Sequence, residues 1–363
     1  MNSLPIDSQW KRPMGRLFSY ALFGDKLNFI PVYSFATQNS DNIVVFISNT
    51  NLLAYSAENL TPLYDKIIQY GMIIDFKRSA ENKFILYFDT GILSIITVNS
   101  NCFTIVNKEL TDISHVIPFD VDNYILIKKD CSTQMLKSNG EIQNLWELSY
   151  STPPSASILL NFVLVISTQS KLIFGDIFQK PNEQESQNFS QLIYIENKDF
   201  FAVSENFDNI SLCSINGREV VLQSAKFIKS AAKLKNISLI NSKTLVCTEN
   251  NSLISYNFGQ LIPLATVSFS NSNFEFIRPL FHEIFLITTS TGNTLICRIT
   301  DTEDINERIH TEDIGNLFGS RPICATPVDA NSFIMVSENG TVAKFIGAPD
   351  WYTIPFLQEQ NLF

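Results

Sequence analysis

The sequence predicts an all-β fold, a single β-propeller of about seven blades within a range of six to eight, each blade built of four strands. Three observations predict it: a hairpin pattern that recurs along the whole chain, a near-constant spacing between the hairpin turns, and the absence of long apolar stripes with helical period. The recurring unit is an apolar, β-branched run, a short turn of Asn, Ser, Asp, Thr or Gly, and an alternating second run, which is the pattern of a β-hairpin.

Eight copies follow one another. The first spans residues 43–56 and turns at Ser48-Asn49-Thr50-Asn51; the second spans 84–98 and turns at Asp89-Thr90-Gly91. The third (124–136) turns at Lys129-Asp130, the fourth (162–177) at Thr168-Gln169-Ser170, and the fifth (200–215) between Asn206 and Asn209. The sixth (244–258) turns at Glu249-Asn250-Asn251, the seventh (284–299) at Thr291-Gly292-Asn293, and the eighth (333–346) at Glu338-Asn339-Gly340. Successive turns lie 38 to 47 residues apart. A period near forty is that of a four-stranded blade. Shorter apolar stretches at 67–76, 115–119 and 227–237 are assigned to the remaining strands, and two segments, 60–70 and 186–194, are short helical possibilities. Residues 179–190 (QKPNEQESQNFS) are polar and contain proline, and are read as a long loop. Eight hairpins suit seven or eight blades, with one terminus completing a half-blade at the other, because closure removes exposed strand edges. The whole of 1–363 is taken as one domain: 1–30 a lead-in and closure segment, 31–350 the blades, 351–363 a tail.

Composition narrows the function classes. The chain is 45% hydrophobic, enough apolar surface to offset the chain entropy lost on folding. It carries 36 Asp and Glu against 26 Lys and Arg, with no basic run longer than Lys11-Arg12, Lys77-Arg78 or Lys128-Lys129. A protein that binds by neutralising phosphates needs a basic face, so nucleic acid is excluded as the expected partner. The six cysteines, at 102, 131, 213, 247, 297 and 324, are nowhere closer than 27 residues and form neither a metal clip nor a compact disulfide framework. They read as small buried hydrophobes, and with no apolar run of membrane-spanning length and no secretory leader, a cytosolic protein that does not insert into membranes is expected.

Candidate chemistry is sparse. Gly-rich phosphate loops and the nucleophile elbow are absent. His115, His282 and His310 stand in different repeats without metal-ligand spacing; His115 is read as a strand-edge residue and the other two as loop residues. The acidic stretch 301–313, with Asp301, Glu303, Asp304, Glu307, Glu312 and Asp313, has Ile305 and Asn306 where a calcium loop needs an oxygen ligand and glycine, and is read as a solvated loop. Inner-strand stretches such as 67–76 and 323–328 carry few titratable groups, so neither catalysis nor a cofactor is expected. Two aromatic segments, Trp10 with Arg12, Phe18 and Tyr20, and Trp351 with Tyr352, are expected to pack together near the closure, with partner anchoring as the alternative.

The chain lacks the WD and GH dipeptides of ordinary WD40 repeats. Trp10, Gly15, Phe18 and Tyr20, then Tyr55-Ser56-Ala57, Ser79-Ala80-Glu81 and the turn Asp89-Thr90-Gly91, resemble the amino-terminal propeller of the vacuolar protein sorting-associated protein 16 family, with a fainter echo over 292–337. That resemblance implies a subunit of a HOPS- or CORVET-like tether, placed in the cytoplasm on endosomal or vacuolar membranes, whose partners are other subunits. It implies a Sec1/Munc18-type partner only if an α-solenoid follows the propeller. Leu4-Pro5-Ile6 resembles the opening of the clathrin heavy-chain terminal domain, and a nuclear-pore propeller belongs to the same physical class.

Overall fold

The computed structural model describes residues 18–22, 26–37, 42–196, 199–229, 234–241, 244–249, 252–257, 262–268, 274–281, 284–299, 309–316, 319–329 and 331–347. These residues form thirty-two strands in eight antiparallel four-stranded sheets, and no helix among them.

The first strand, β1 (Phe18–Leu22), belongs to the last blade. Blade 1 is β2 (Tyr33–Ala36), β3 (Ile43–Ile47), β4 (Asn51–Ser56) and β5 (Pro62–Ile67). Blade 2 is β6 (Ile73–Ala80), β7 (Lys83–Phe88), β8 (Ile92–Val98) and β9 (Phe103–Glu109). Blade 3 is β10 (Ile113–Pro118), β11 (Tyr124–Lys128), β12 (Thr133–Leu136) and β13 (Ile142–Trp146). Blade 4 is β14 (Ala156–Leu160), β15 (Val163–Ser167), β16 (Lys171–Asp176) and β17 (Asn182–Glu185). Blade 5 is β18 (Phe189–Glu196), β19 (Asp199–Ser204), β20 (Asn209–Asn216) and β21 (Glu219–Lys229). Blade 6 is β22 (Leu234–Asn241), β23 (Thr244–Glu249), β24 (Ser252–Asn257) and β25 (Ile262–Ser268). Blade 7 is β26 (Phe274–Phe281), β27 (Ile284–Thr289), β28 (Thr294–Ile299) and β29 (Ile309–Gly315). Blade 8 is β30 (Pro322–Asp329), β31 (Ser332–Ser337) and β32 (Val342–Gly347), finished on its outer edge by β1, with Phe18 opposite Gly347 and Leu22 opposite Ala343. Eight is the upper end of the range set by the hairpin count. All eight hairpins are the middle two strands of complete blades, and the strand borrowed from the N-terminal side completes blade 8.

The second strand of each blade carries the fold. Its run is continuously apolar, as in IVVFI of β3 and FILYF of β7, because a middle strand is covered on both faces and neither parity of side chain meets water. Ile43, Val45 and Ile47 of β3 pack toward blade 2 against Phe84, Leu86 and Phe88, while Val44 and Phe46 pack toward blade 8 against Ile334 and Val336. The same division splits Phe200 from Phe201: the first joins the core shared with blade 4, the second the core shared with blade 6. Burying a side chain of this size stabilises by about 1.5–3 kcal/mol, and seven such clusters join consecutive blades from the blade 8–blade 1 contact round to blades 6 and 7.

A second repeated device ties the blades in sequence. The turn between the second and third strands accepts a hydrogen bond from the segment that leads to the next blade. Ile68 N–H donates to Thr50 O at 2.8 Å, Leu110 to Gly91 at 2.9 Å, Tyr150 to Asp130 at 3.0 Å, Ser186 to Ser170 at 2.9 Å, Leu234 to Phe207 at 2.6 Å and Leu27 to Gly340 at 2.9 Å. At Gly91 and Gly340 this contact requires glycine: φ is +85° and +78°, and a Cβ would stand 2.6 Å from Leu110 O and 2.5 Å from Leu27 O.

Three local expectations change. The helical possibilities at 60–70 and 186–194 hold β5 and the greater part of β18, because their apolar residues belong to strands on blade edges rather than to a helical stripe. Residues 182–185 inside the expected loop form β17; an outermost strand has one edge and much of both faces in water, so its sequence reads as polar loop. The acidic stretch is likewise not all loop, since residues 309–315 form β29 against β28. The apolar stretch 67–76 divides between the end of β5 and the start of β6, and 227–237 between β21 and β22.

Candidate functional site

First strands line the centre. Asp75 and Lys77 of β6, His115 of β10, Ser157 of β14, Gln191 of β18 and Ser238 of β22 surround a cavity of about 520 Å3. His115 lies in β10, the inner edge strand of blade 3, where it lines the channel, and its Nδ1 stands 2.7 Å from Ser157 Oγ. Burial pushes the imidazole below its ordinary value; Asp75 opposes that shift and Lys77 adds to it. The Asp75–Lys77 ion pair measures 3.3 Å. Inner strand β6 thus holds Asp75, Lys77 and Arg78, more titratable groups than the sequence reading assigned to inner strands, because the polar end of β6 lies beyond residue 76. Other channel hydroxyls bond the backbone of the neighbouring strand in their own blade, with Ser155 donating to Ser167 O at 3.1 Å and Ser190 to Ser204 O at 3.0 Å. No group of three His, Cys, Asp or Glu among the described residues could hold a metal ion.

The turns joining strands one to two and three to four share one face of the ring, and on that face three aromatic side chains of blades 3 and 4 meet. Phe119 lies 5.7 Å from Phe162 and 6.3 Å from Phe178, ring centre to ring centre. Phe162 and Phe178 are each 58% exposed, and Val121, two residues after Phe119, is 51% exposed. Asx chemistry presents all three rings. Asn161, at φ +57°, and Phe162 make the two-residue turn between β14 and β15. Asp176 Oδ1 accepts the Phe178 N–H at 2.9 Å, and Asp120 Oδ1 accepts the N–H groups of Asp122 and Asn123 at 2.9 and 2.8 Å. Lys83 pairs with Asp122 and donates to Val121 O at 3.3 Å, holding this loop against blade 2. Sequence reasoning missed the group. Its signal was an exposed phenylalanine in each of two tight turns, where polar residues are the rule.

Of the sequence-derived aromatic segments, Phe18 and Tyr20 lie in β1, and Trp10, Arg12, Trp351 and Tyr352 lie outside the described residues, as do His282, Asp301, Glu303, Asp304 and Glu307. His310, Glu312 and Asp313 lie in β29 opposite Arg298, Ile296 and Leu295.

No protein-family model and no curated protein matches the sequence. Solved structures do. The C-terminal WD40 domain of Sif2 aligns over 88% of this chain and 96% of its own at 10% identity, with a TM-score of 0.63. Hsv2p of Kluyveromyces lactis aligns over 78% and 97% at 9% identity and 0.56, and BamB from Moraxella catarrhalis over 87% and 99% at 11% identity and 0.55. At such identities the likeness carries the fold alone, and together with the eight sheets it establishes this chain as a β-propeller of eight four-stranded blades, similar in structure to WD40 propellers although it lacks their sequence signature.

Proposed function

We propose that this chain is a non-catalytic protein-interaction scaffold whose docking face carries Phe119, Phe162 and Phe178. The observation that supports it most directly is the exposure of Phe162 and Phe178 in turns on one face of the ring, both in ring contact with Phe119. Contiguous exposed aromatic surface favours a protein partner, because aromatic side chains bury the most area per ordered residue and dominate binding hot spots. The WD40-type neighbours are consistent with such a role.

For the cellular setting we infer a subunit of a HOPS- or CORVET-like membrane tether in endosomal and vacuolar traffic, on the cytoplasmic side. The segments around Trp10, Tyr55, Ser79 and Asp89 support it. The test is affinity purification of the tagged full-length product from its native cells, beside a Phe162→Ser/Phe178→Ser variant, with mass spectrometry of both. Partners held by the native protein and lost by the variant support the scaffold reading; identical sets, or none, reject that face. A Sec1/Munc18-type protein with large propeller–solenoid subunits supports the tether, whereas clathrin light chain and adaptors, or nucleoporins, move the protein to those coats.

A further inference from the structure

The turns joining strands two to three and the connectors between blades lie on the face of the ring opposite the phenylalanine group, and there blade 1 gathers a second apolar patch. Val32, Ile67, Met72 and Ile74, with Ile30 two residues before Val32, are between 42% and 62% exposed. The turn between β3 and β4 holds them side by side. Val32 N–H donates to Ile47 O at 2.7 Å, Ile67 stands opposite Asn51 in the β4–β5 register, and Ile73, between Met72 and Ile74, donates its N–H to Asn49 Oδ1 at 2.9 Å. Ile73 itself is buried in the core between blades 1 and 2, and its two neighbours, of opposite parity in the extended chain, face away from that core. Together the five residues expose roughly 400–500 Å2, the scale of the largest apolar patch on a typical monomer.

The patch carries no charge. None of residues 28–34, 47–51 and 67–74 is Asp, Glu, Lys or Arg, in a chain that is 17% charged. Charged side chains begin just outside it, at Lys66, at Asp75 and at Asp89, whose carboxylate accepts the Met72 N–H at 2.9 Å. Two copies of a chain with a formal net charge of −10 repel each other. In a two-fold contact each patch residue meets the same patch on the other copy, so a charge there would face its like. A neutral aliphatic surface removes that penalty. Steered recognition of a different protein draws instead on complementary charge, which this surface lacks. Homodimer interfaces are the more apolar class, and a patch of this size forms the core of the roughly 800 Å2 that each partner buries in an interface of standard size.

We propose that this face is a self-association surface: a second copy of the chain docks on it about a two-fold axis, burying Ile30, Val32, Ile67, Met72 and Ile74 against the same patch of its partner. The two rings then meet by one face and carry Phe119, Phe162 and Phe178 on their outward faces, so the dimer displays that group twice. Self-association concerns a different surface from the proposed docking face and is tested by oligomeric state alone.

The experiment is sedimentation velocity of the full chain over a concentration series, beside three double variants: Ile67→Asp/Met72→Asp, Ile67→Lys/Met72→Lys and, on the opposite face, Phe162→Ser/Phe178→Ser. All altered positions are exposed, and thermal melts verify the fold. The native chain is expected to form a dimer that tightens as salt rises, because salt screens the repulsion between two acidic copies. Each charged variant alone weakens dimerisation at least about a hundredfold, since like charge then meets like. An equimolar mixture of the Asp and Lys forms recovers it, and Phe162→Ser/Phe178→Ser leaves it unchanged. A native chain that stays monomeric, a dimer indifferent to both charged variants, or a mixture as weak as either form alone overturns the two-fold contact. A monomeric native chain that instead holds a different protein through Ile67 and Met72 overturns it as well and assigns the face to that partner.

Discussion

The Lys344 ammonium donates a 2.6 Å hydrogen bond to the carbonyl oxygen of Ala57, 287 residues earlier in the chain, and another of 3.0 Å to the carbonyl of Glu58. Lys344 lies in β32 of blade 8 and is only 7% exposed; its acceptors lie in the turn after β4 of blade 1. A buried ammonium is costly unless solvated by protein, and here the carbonyls of the neighbouring blade solvate it. With Thr326 Oγ1 donating to Ser34 O at 3.1 Å, it fastens the two ends of the ring.

Lys344→Met removes that fastening and leaves two carbonyls without their donor, and is expected to cost about 1–3 kcal/mol. Urea unfolding checks it beside Lys66→Met, whose side chain is exposed on β5 and whose loss is expected to fall within about 0.5 kcal/mol of the native protein.

Gly340→Ala places a Cβ 2.5 Å from Leu27 O at φ +78°, whereas at Gly217, φ +63°, a Cβ meets nothing within 4 Å. Both substitutions carry the backbone cost of the left-handed region, about 1 kcal/mol or somewhat more. Only Gly340→Ala also displaces the segment that enters blade 1. Its midpoint in thermal unfolding is expected well below that of Gly217→Ala.

Of the six cysteines only Cys102 is exposed. Burial pushes the thiols of Cys131 and Cys324 up to about 11, those of Cys213 and Cys247 up to about 12, and that of Cys297 up as well. A thiol titration with a disulfide reagent is expected to count one group in the native protein and all six in denaturant, because the thiolate is the reacting form.

His115 gives a pH dependence of known sign. Burial holds its folded-state value below the ordinary 6.5. Below that pH the unfolded chain takes up a proton that the folded protein resists, so stability falls as pH falls, by at most about 1.4 kcal/mol per unit, until the folded imidazole also protonates. The difference in unfolding free energy between the native protein and His115→Gln, followed from about pH 7.5 to about pH 5, is expected to shrink toward the acid end in this way. A difference independent of pH would contradict it.

How far each part of the ring was legible follows from where its strands sit. The second and third strands announced themselves because burial on two sides demands continuous or alternating apolar residues, as in β15 with VLVIS and β31 with SFIMVS. The outer strand β17 (NEQE) carried no such demand and passed for loop, and the polar half of β6 fell outside the apolar stretch 67–76. A subtler repeat was also present. A hydroxyl residue ends the second strand and caps the turn behind it: Ser48 Oγ accepts Asn51 N–H at 2.9 Å, Thr168 accepts Lys171 at 3.1 Å, Ser204 accepts Asn209 at 3.1 Å and Thr289 accepts Asn293 at 3.1 Å. Aligned on that residue, ISNTN, STQSK, VSENF and TTSTG share a hydroxyl at the second position, and its period alone would have counted these blades.

The sequence by itself determined the class of fold, the four-stranded period and the absence of recognisable catalytic motifs, because local hydrophobic periodicity and turn chemistry are properties of neighbours along the chain. Only the tertiary structure decided that the blades number eight, that β1 completes the last of them, that His115 meets Ser157 across the channel and that Phe119, Phe162 and Phe178 gather on one face. Each of these joins residues about forty or more positions apart, and ring closure, which sets which distant turns become neighbours, depends on how tightly side chains pack between blades rather than on any one segment's preference.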